Sequence, residues 1–121
     1  MLTEIPRIAS YGLFPTLVST FDLSKEASYD QMLEVVRKTI TSKHELMKDS
    51  ESTYDESMGN NWLDHIALKH FKESVQQCVD FYSEEYNLKR SIIKNSWMNR
   101  VGKGGSVRAH RHEGSVISGA F

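Results

Sequence analysis

Three glycines fall within the four positions Gly102-Lys103-Gly104-Gly105, and this cluster limits what the last quarter of the chain can become. Such a run breaks a helix and permits positive φ wherever a reversal needs it. On its N-terminal side Ile93, Asn95, Trp97, Asn99 and Val101 alternate with Ile92, Lys94, Ser96, Met98 and Arg100, the period of a strand. The first of these faces mixes apolar and hydrogen-bonding residues, as a strand lining a cavity does. The glycines then predict a hairpin that returns through Val107 and His110, turns near Gly114-Ser115 and starts a further strand at Val116. On the returning strand, His110 and His112 are two residues apart and project from one face toward one point. A β-scaffold holds a metal ion in this way. Glu113 faces the opposite side unless a bulge at Gly114 re-aims it as a further ligand.

Upstream, Leu13-Phe14-Pro15-Thr16-Leu17-Val18-Ser19-Thr20-Phe21 alternates and is β-branched enough to predict a first strand, with Pro15 at its start or edge. Ser28 and Gln31 have the spacing of a capping box, and Tyr29, Met32, Leu33, Val36 and Ile40 recur at helical spacing, which predicts a helix from Tyr29 to Ser42. The polar stretch His44 to Asn61 reads as a long loop with a solvated His44. After the turn signal Gly59-Asn60-Asn61, the residues Leu68, Phe71, Val75, Cys78, Val79 and Tyr82 share a face and predict a second helix from Leu63 to Tyr86. Cys78 on that stripe reads as a small buried hydrophobe. His65 and His70 are five residues apart, a spacing that does not stack two ligands on one helical face. The expected fold class is α+β, a single domain over residues 1–121, with two N-terminal helices packed on an antiparallel sheet that comes last.

Composition narrows the function classes. With 39% hydrophobic and 26% charged residues the chain is an ordinary globular sequence and not a disordered one. Fifteen Lys and Arg against sixteen Asp and Glu leave a formal charge of −1, which argues against nucleic acid or an anionic membrane as partner. The basic residues Arg100, Lys103, Arg108 and Arg111 cluster on the motif itself and suit a small anionic ligand. A single cysteine excludes an internal disulfide and a thiolate metal cluster within one chain, and fits a reducing compartment. No apolar run is long enough to span a bilayer and no leader pattern opens the chain, so a cytoplasmic protein is expected.

The elements Trp97-x-Asn99, the glycine cluster, His110-x-His112-x-Gly114-Ser115 and Ser118-Gly119 together resemble a family of iron(II)/2-oxoglutarate-dependent oxygenases of bacteria and bacteriophages. Phe14-Pro15-Thr16 and Asn60-Asn61-Trp62 are similar to further elements of that family, so the likeness runs through most of the chain and is specific in its last quarter. The resemblance implies a partial double-stranded β-helix (jelly-roll) core and a hydroxylase-type dioxygenase acting on a small-molecule or protein substrate. It also implies iron(II) and 2-oxoglutarate as cofactors, His110 and His112 as metal ligands, Asn99 and Arg108 as cofactor-binding residues, and a bacterial or phage-infected cytoplasm. In prolyl-hydroxylase-like members a His-x-Asp pair supplies the first two iron ligands. Here His112 stands where the Asp would, and two imidazoles also suit zinc, copper or nickel. The strands that in this superfamily follow the Ser-Gly element, with a last His and an Arg for the keto acid, have no counterpart after Phe121, so the expectation is the N-terminal part of such a domain.

Other readings stay open at this point. His110 and His112 also fit surface histidines on an exposed hairpin, Asn99 a satisfied structural amide, and Arg108 and Arg111 solvated side chains. Cupins share the glycine and His-x-His beginning but place their next ligand, a Glu, further on than Glu113. A non-catalytic relic or oligomerising module would keep the scaffold and pair through an open sheet edge near Val116 to Phe121. Ser115 and Ser118 have no recognisable base in the sequence, so nucleophilic catalysis is not expected.

Overall fold

The computed structural model describes residues 16–57 and 59–121. Their element order is α1 (Tyr29–Lys38), β1 (Ser42–Lys43), β2 (Met47–Ser52), two single-turn 3-10 helices (Trp62–Asp64 and Ile66–Leu68), α2 (Lys69–Glu85) and β3 (Asn99–Val107). The class is α+β, with two helices and a three-stranded antiparallel sheet in the order β1-β2-β3. Two of the strands lie between the helices, so the expected succession of helices first and sheet last is corrected. No helix among the described residues is long and apolar enough to cross a membrane.

The core comes from the helical elements. Met32 of α1, Leu63 and Leu68 of the 3-10 turns and Phe71 of α2 are buried together, with Leu33, Val36, Trp62, Val75 and Ile93 packed around them. Burying Leu68 and Phe71 completely contributes roughly 1.5–3 kcal/mol each. Helix α1 carries Asp30 in its first turn and Arg37 and Lys38 in its last, matching the helix dipole. It stops at Lys38 and not at Ser42, because Thr39 turns to extended backbone and its hydroxyl donates to the Val35 carbonyl at 2.7 Å. The second helical stripe is interrupted before it becomes regular: His65 has extended backbone, and its Nδ1 accepts the Ala67 N–H at 3.1 Å.

The expected capping box does not form. Ser28 has helical backbone (φ −79, ψ −8), because Glu26 N–H to Leu23 carbonyl and Tyr29 N–H to Glu26 carbonyl bonds already wind the chain. Its hydroxyl is buried and has no hydrogen-bond partner among the described residues.

The region read as a loop from His44 to Asn61 contains the central strand. β2 escaped the hydrophobic pattern because its buried positions are Ser50 and Ser52. Ser52 Oγ donates to Asn99 Oδ1 at 2.6 Å and accepts the Tyr54 N–H at 3.0 Å, while Ser50 Oγ accepts the Gly102 N–H at 3.3 Å. His44 is half-buried and not solvated: its Nδ1 accepts the Leu46 N–H at 3.2 Å and its ring meets Tyr54 edge-on at 5.4 Å.

The glycine cluster is not a hairpin turn. β3 runs through it as one strand whose two ends pair with β2, Ser52 to Asn99 on one side and Met47 to Val107 on the other. Gly102 to Gly105 bulge opposite Asp49, which itself takes positive φ at 47°. A side chain at Gly102 would run into the Asp49 carbonyl, and one at Gly105 into Ser50 Oγ and two backbone carbonyls. These glycines answer a need for close backbone approach, as glycine inside a strand commonly does. The preceding residues 91–98, expected to be strand, form only the single bridge of Ser96 with Asn61, and side chains hold part of their backbone: Gln76 Nε2 donates to the Ser91 carbonyl and Gln76 Oε1 accepts the Ile93 N–H.

Two further strand expectations are corrected. Leu13, Phe14 and Pro15 lie outside the described residues, and Thr16 to Phe21 form no strand. That segment lies along α2, where the Tyr82 hydroxyl donates to the Leu17 carbonyl at 3.0 Å. Val116 to Phe121 form no strand either, and the Phe121 ring lies 5.1 Å from Phe71 and 6.3 Å from Trp62.

Two substitutions test this account by urea unfolding. Ser28→Ala removes an unpaired buried hydroxyl and is expected to leave stability unchanged or raise it by about 1 kcal/mol, whereas a capping serine would cost about 1 kcal/mol on the same change. Gly102→Ala is expected to destabilise by about 1–3 kcal/mol, because strand backbone must move to admit the methyl group. A freely accommodating turn would show almost no loss.

Candidate functional site

The site begins where β3 ends. After Val107 the Arg108 N–H donates to the Leu46 carbonyl at 2.7 Å, fixing the exit of the chain from the sheet. His110 and His112 follow in irregular backbone, not on a returning strand as their spacing implied. Their convergence therefore does not come from strand periodicity. The imidazole rings are nevertheless adjacent, with centroids 5.0 Å apart and Nε2 to Nε2 at 3.1 Å.

Each outer nitrogen has its own partner. His110 Nδ1 lies 2.7 Å from the Arg108 carbonyl, which only accepts, so this nitrogen carries a proton and donates. In neutral His110 the Nε2 lone pair then points at His112. His112 Nδ1 lies 3.1 Å from Ser118 Oγ. A hydroxyl both donates and accepts, so His112 has two arrangements. In one, Ser118 donates to Nδ1 and the His112 Nε2–H donates to His110 Nε2. In the other, His112 Nδ1–H donates to Ser118 and two Nε2 lone pairs face each other, which is favourable only with a cation between them.

The second arrangement suits a metal ion. Two imidazole nitrogens held at about 2.1 Å on adjacent positions at a right angle stand about 3.0 Å apart, against about 3.4 Å for tetrahedral positions. The observed 3.1 Å lies nearer the former. Acceptors on both Nδ1 atoms are the usual outer support of metal-binding histidines. Among the described residues no group of three or more His, Cys, Asp or Glu is placed to hold a metal, so Glu113 does not join the pair.

Aromatic rings flank one side. Trp97, half-buried, meets His112 edge-on at 5.5 Å and Tyr54 edge-on at 5.2 Å. The pair itself is exposed. Asn99 and Arg108, expected to contact a cofactor, are placed by the sheet: Asn99 Oδ1 accepts from Ser52, and the Arg108 carbonyl orients His110. The structure brings Ser118, part of the Ser118-Gly119 element of the sequence, and Tyr54 to this neighbourhood. Neither contact has a local signal in the sequence, since each is made across a loop. Elsewhere His65 caps a 3-10 turn and His70 Nδ1 lies 3.2 Å from Glu73, two separate local arrangements. Cys78 is half-buried, and burial raises its thiol above the ordinary range.

No family model, no curated protein and no solved structure matches this chain.

Removing the Ser118 hydroxyl tests the support of the pair. Ser118→Ala is expected to weaken Ni(II) or Co(II) binding about tenfold in a calorimetric titration, and an unchanged affinity would show that Ser118 does not orient His112.

Proposed function

We propose that this chain carries two metal ligands, His110 and His112, of an iron(II)/2-oxoglutarate-dependent oxygenase centre of the hydroxylase type. The observation that carries the reading is the pair of Nε2 atoms at 3.1 Å, with the His110 Nδ1 proton taken by a carbonyl and the His112 Nδ1 backed by a hydroxyl. The resemblance of the last quarter of the sequence supports iron(II) over other divalent ions. On this reading the three-stranded sheet is part of a jelly-roll, and β3, exposed along nearly its whole length, is the edge where further strands add.

The residues divide the work. The Arg108 carbonyl fixes the tautomer and direction of His110, and Ser118 does the same for His112. Trp97 packs an apolar edge against His112 and shields one side of the pair from water. Arg108, whose side chain is exposed beside the histidines in sequence, supplies positive charge for a carboxylate of the keto acid. Asn99, with its oxygen engaged by Ser52, has its amide hydrogens to offer to the same ligand. Iron bound with 2-oxoglutarate supplies the oxidising chemistry, and the protein supplies placement and shape. The carboxylate that completes such a triad is not among the described residues near the pair.

A second reading has its own observation. An exposed nine-residue edge strand fits a module that assembles by strand pairing, without catalysis.

Anaerobic addition of iron(II) and 2-oxoglutarate is expected to produce a visible metal-to-ligand charge-transfer band that His110→Ala and His112→Ala abolish. A band that survives both substitutions would remove His110 and His112 as ligands and overturn this reading, and no band together with strand-paired oligomers in size-exclusion chromatography would favour the second.

A further inference from the structure

The expectation that Ser115 and Ser118 have no base is corrected for Ser118 by the fold, which seats its Oγ 3.1 Å from His112 Nδ1. A hydroxyl within hydrogen-bond reach of an imidazole, itself oriented by a third group, is the arrangement that activates a serine nucleophile. Here the third group is His110, whose Nε2 lies 3.1 Å from His112 Nε2 and whose Nδ1 proton is tied to the Arg108 carbonyl. The bonds run in one direction: Ser118 O–H to His112, His112 N–H to His110, and His110 N–H to the backbone. Every ring nitrogen in the series is engaged, with no cation required.

We propose that in the metal-free chain Ser118, His112 and His110 form an acyl-transfer triad acting on accessible carboxylic esters. Ser118 Oγ attacks the carbonyl carbon and its proton passes to His112 Nδ1, while His110 holds His112 by its Nε2 proton. The bond from carbon to the alkoxy oxygen then breaks, and the leaving alcohol takes the proton from His112. Water attacks the acyl-serine by the same route, releasing the carboxylic acid and restoring the hydroxyl. Access is open, since Ser118 is exposed and no described residue stands within 4 Å of where a Gly119 side chain would begin. The Gly119 N–H follows the nucleophile in the chain and makes no hydrogen bond among the described residues, so it is the donor assigned to the developing oxyanion. His112 is the base and His110 a positioning residue. The inference does not rest on the metal reading, because metal binding needs the opposite tautomer of His112.

The test is reaction of the full chain, in EDTA, with a fluorophosphonate. Attack by Ser118 forms the phosphorus–oxygen bond and releases fluoride, and peptide mass spectrometry locates the adduct. The expected result is a single adduct on Ser118, at a rate that falls at least tenfold in His112→Ala and in His110→Ala. His110→Gln is expected to recover part of the rate, since its side-chain oxygen still accepts from His112. Saturating Ni(II) without EDTA is expected to block labelling. An adduct spread over other serines, no adduct at Ser118, or a rate indifferent to His112→Ala would overturn the triad. Nickel binding in calorimetry without labelling would overturn it alone, and labelling without nickel binding would remove the metal reading alone.

Discussion

The pairing of β2 with β3 decides where everything else in the C-terminal quarter sits. The ladder from Ser52–Asn99 to Met47–Val107 is kept in register only because Gly102 to Gly105 bulge around Asp49. That register brings Arg108 to the Leu46 carbonyl, and from there the chain turns so that His110 can donate back to the Arg108 carbonyl. The imidazole pair, three and five residues beyond the end of β3, is thus a consequence of strand register. A shift of one residue would exchange the faces of β3 and move that exit.

The sheet and the helical core are joined mainly by polar contacts. Arg100 of β3 donates to the Val36 and Thr39 carbonyls at the end of α1, where, within the helical elements, Trp62 Nε1 also donates to Thr39 Oγ1 at 3.1 Å. Ser96 makes the other junction: its backbone bonds with Asn60 and Trp62, and its Oγ accepts the Leu63 N–H at 2.9 Å. Such bonds contribute about 1 kcal/mol each when satisfied, so they fix orientation more than they add stability. Phe121 crosses the same junction from the other direction, placing its ring against Trp62 and Phe71. The loop with His112 and Ser118 is therefore tied at both ends, to the sheet at Arg108 and to the helical core at Phe121.

Both helices were legible in the sequence because Met32, Val36, Leu68, Phe71 and Val75 repeat at helical spacing and do face the core. Their ends were not: Thr39 and His65 leave helical backbone for reasons that lie in their own side-chain bonds. β2 was illegible because Ser50 and Ser52 occupy the positions where hydrophobic residues mark a strand. The glycines by themselves read as a turn, since close approach to Asp49 depends on a strand that the hydrophobic pattern does not mark. The two histidines were legible as neighbours, yet the spacing argument placed them on a strand. Their actual juxtaposition depends on the Arg108 carbonyl and on Ser118, six residues from His112. No local pattern encodes that last contact.

What the account asks of His110 and His112 is one shared axis between their Nε2 atoms. Long-range proton–nitrogen correlation NMR of the metal-free chain reads this directly. The expected result is a His110 ring protonated on Nδ1 and a scalar coupling across the hydrogen bond between the two Nε2 nitrogens. Two rings showing the averaged tautomers of free histidine, with no coupling between them, would contradict it.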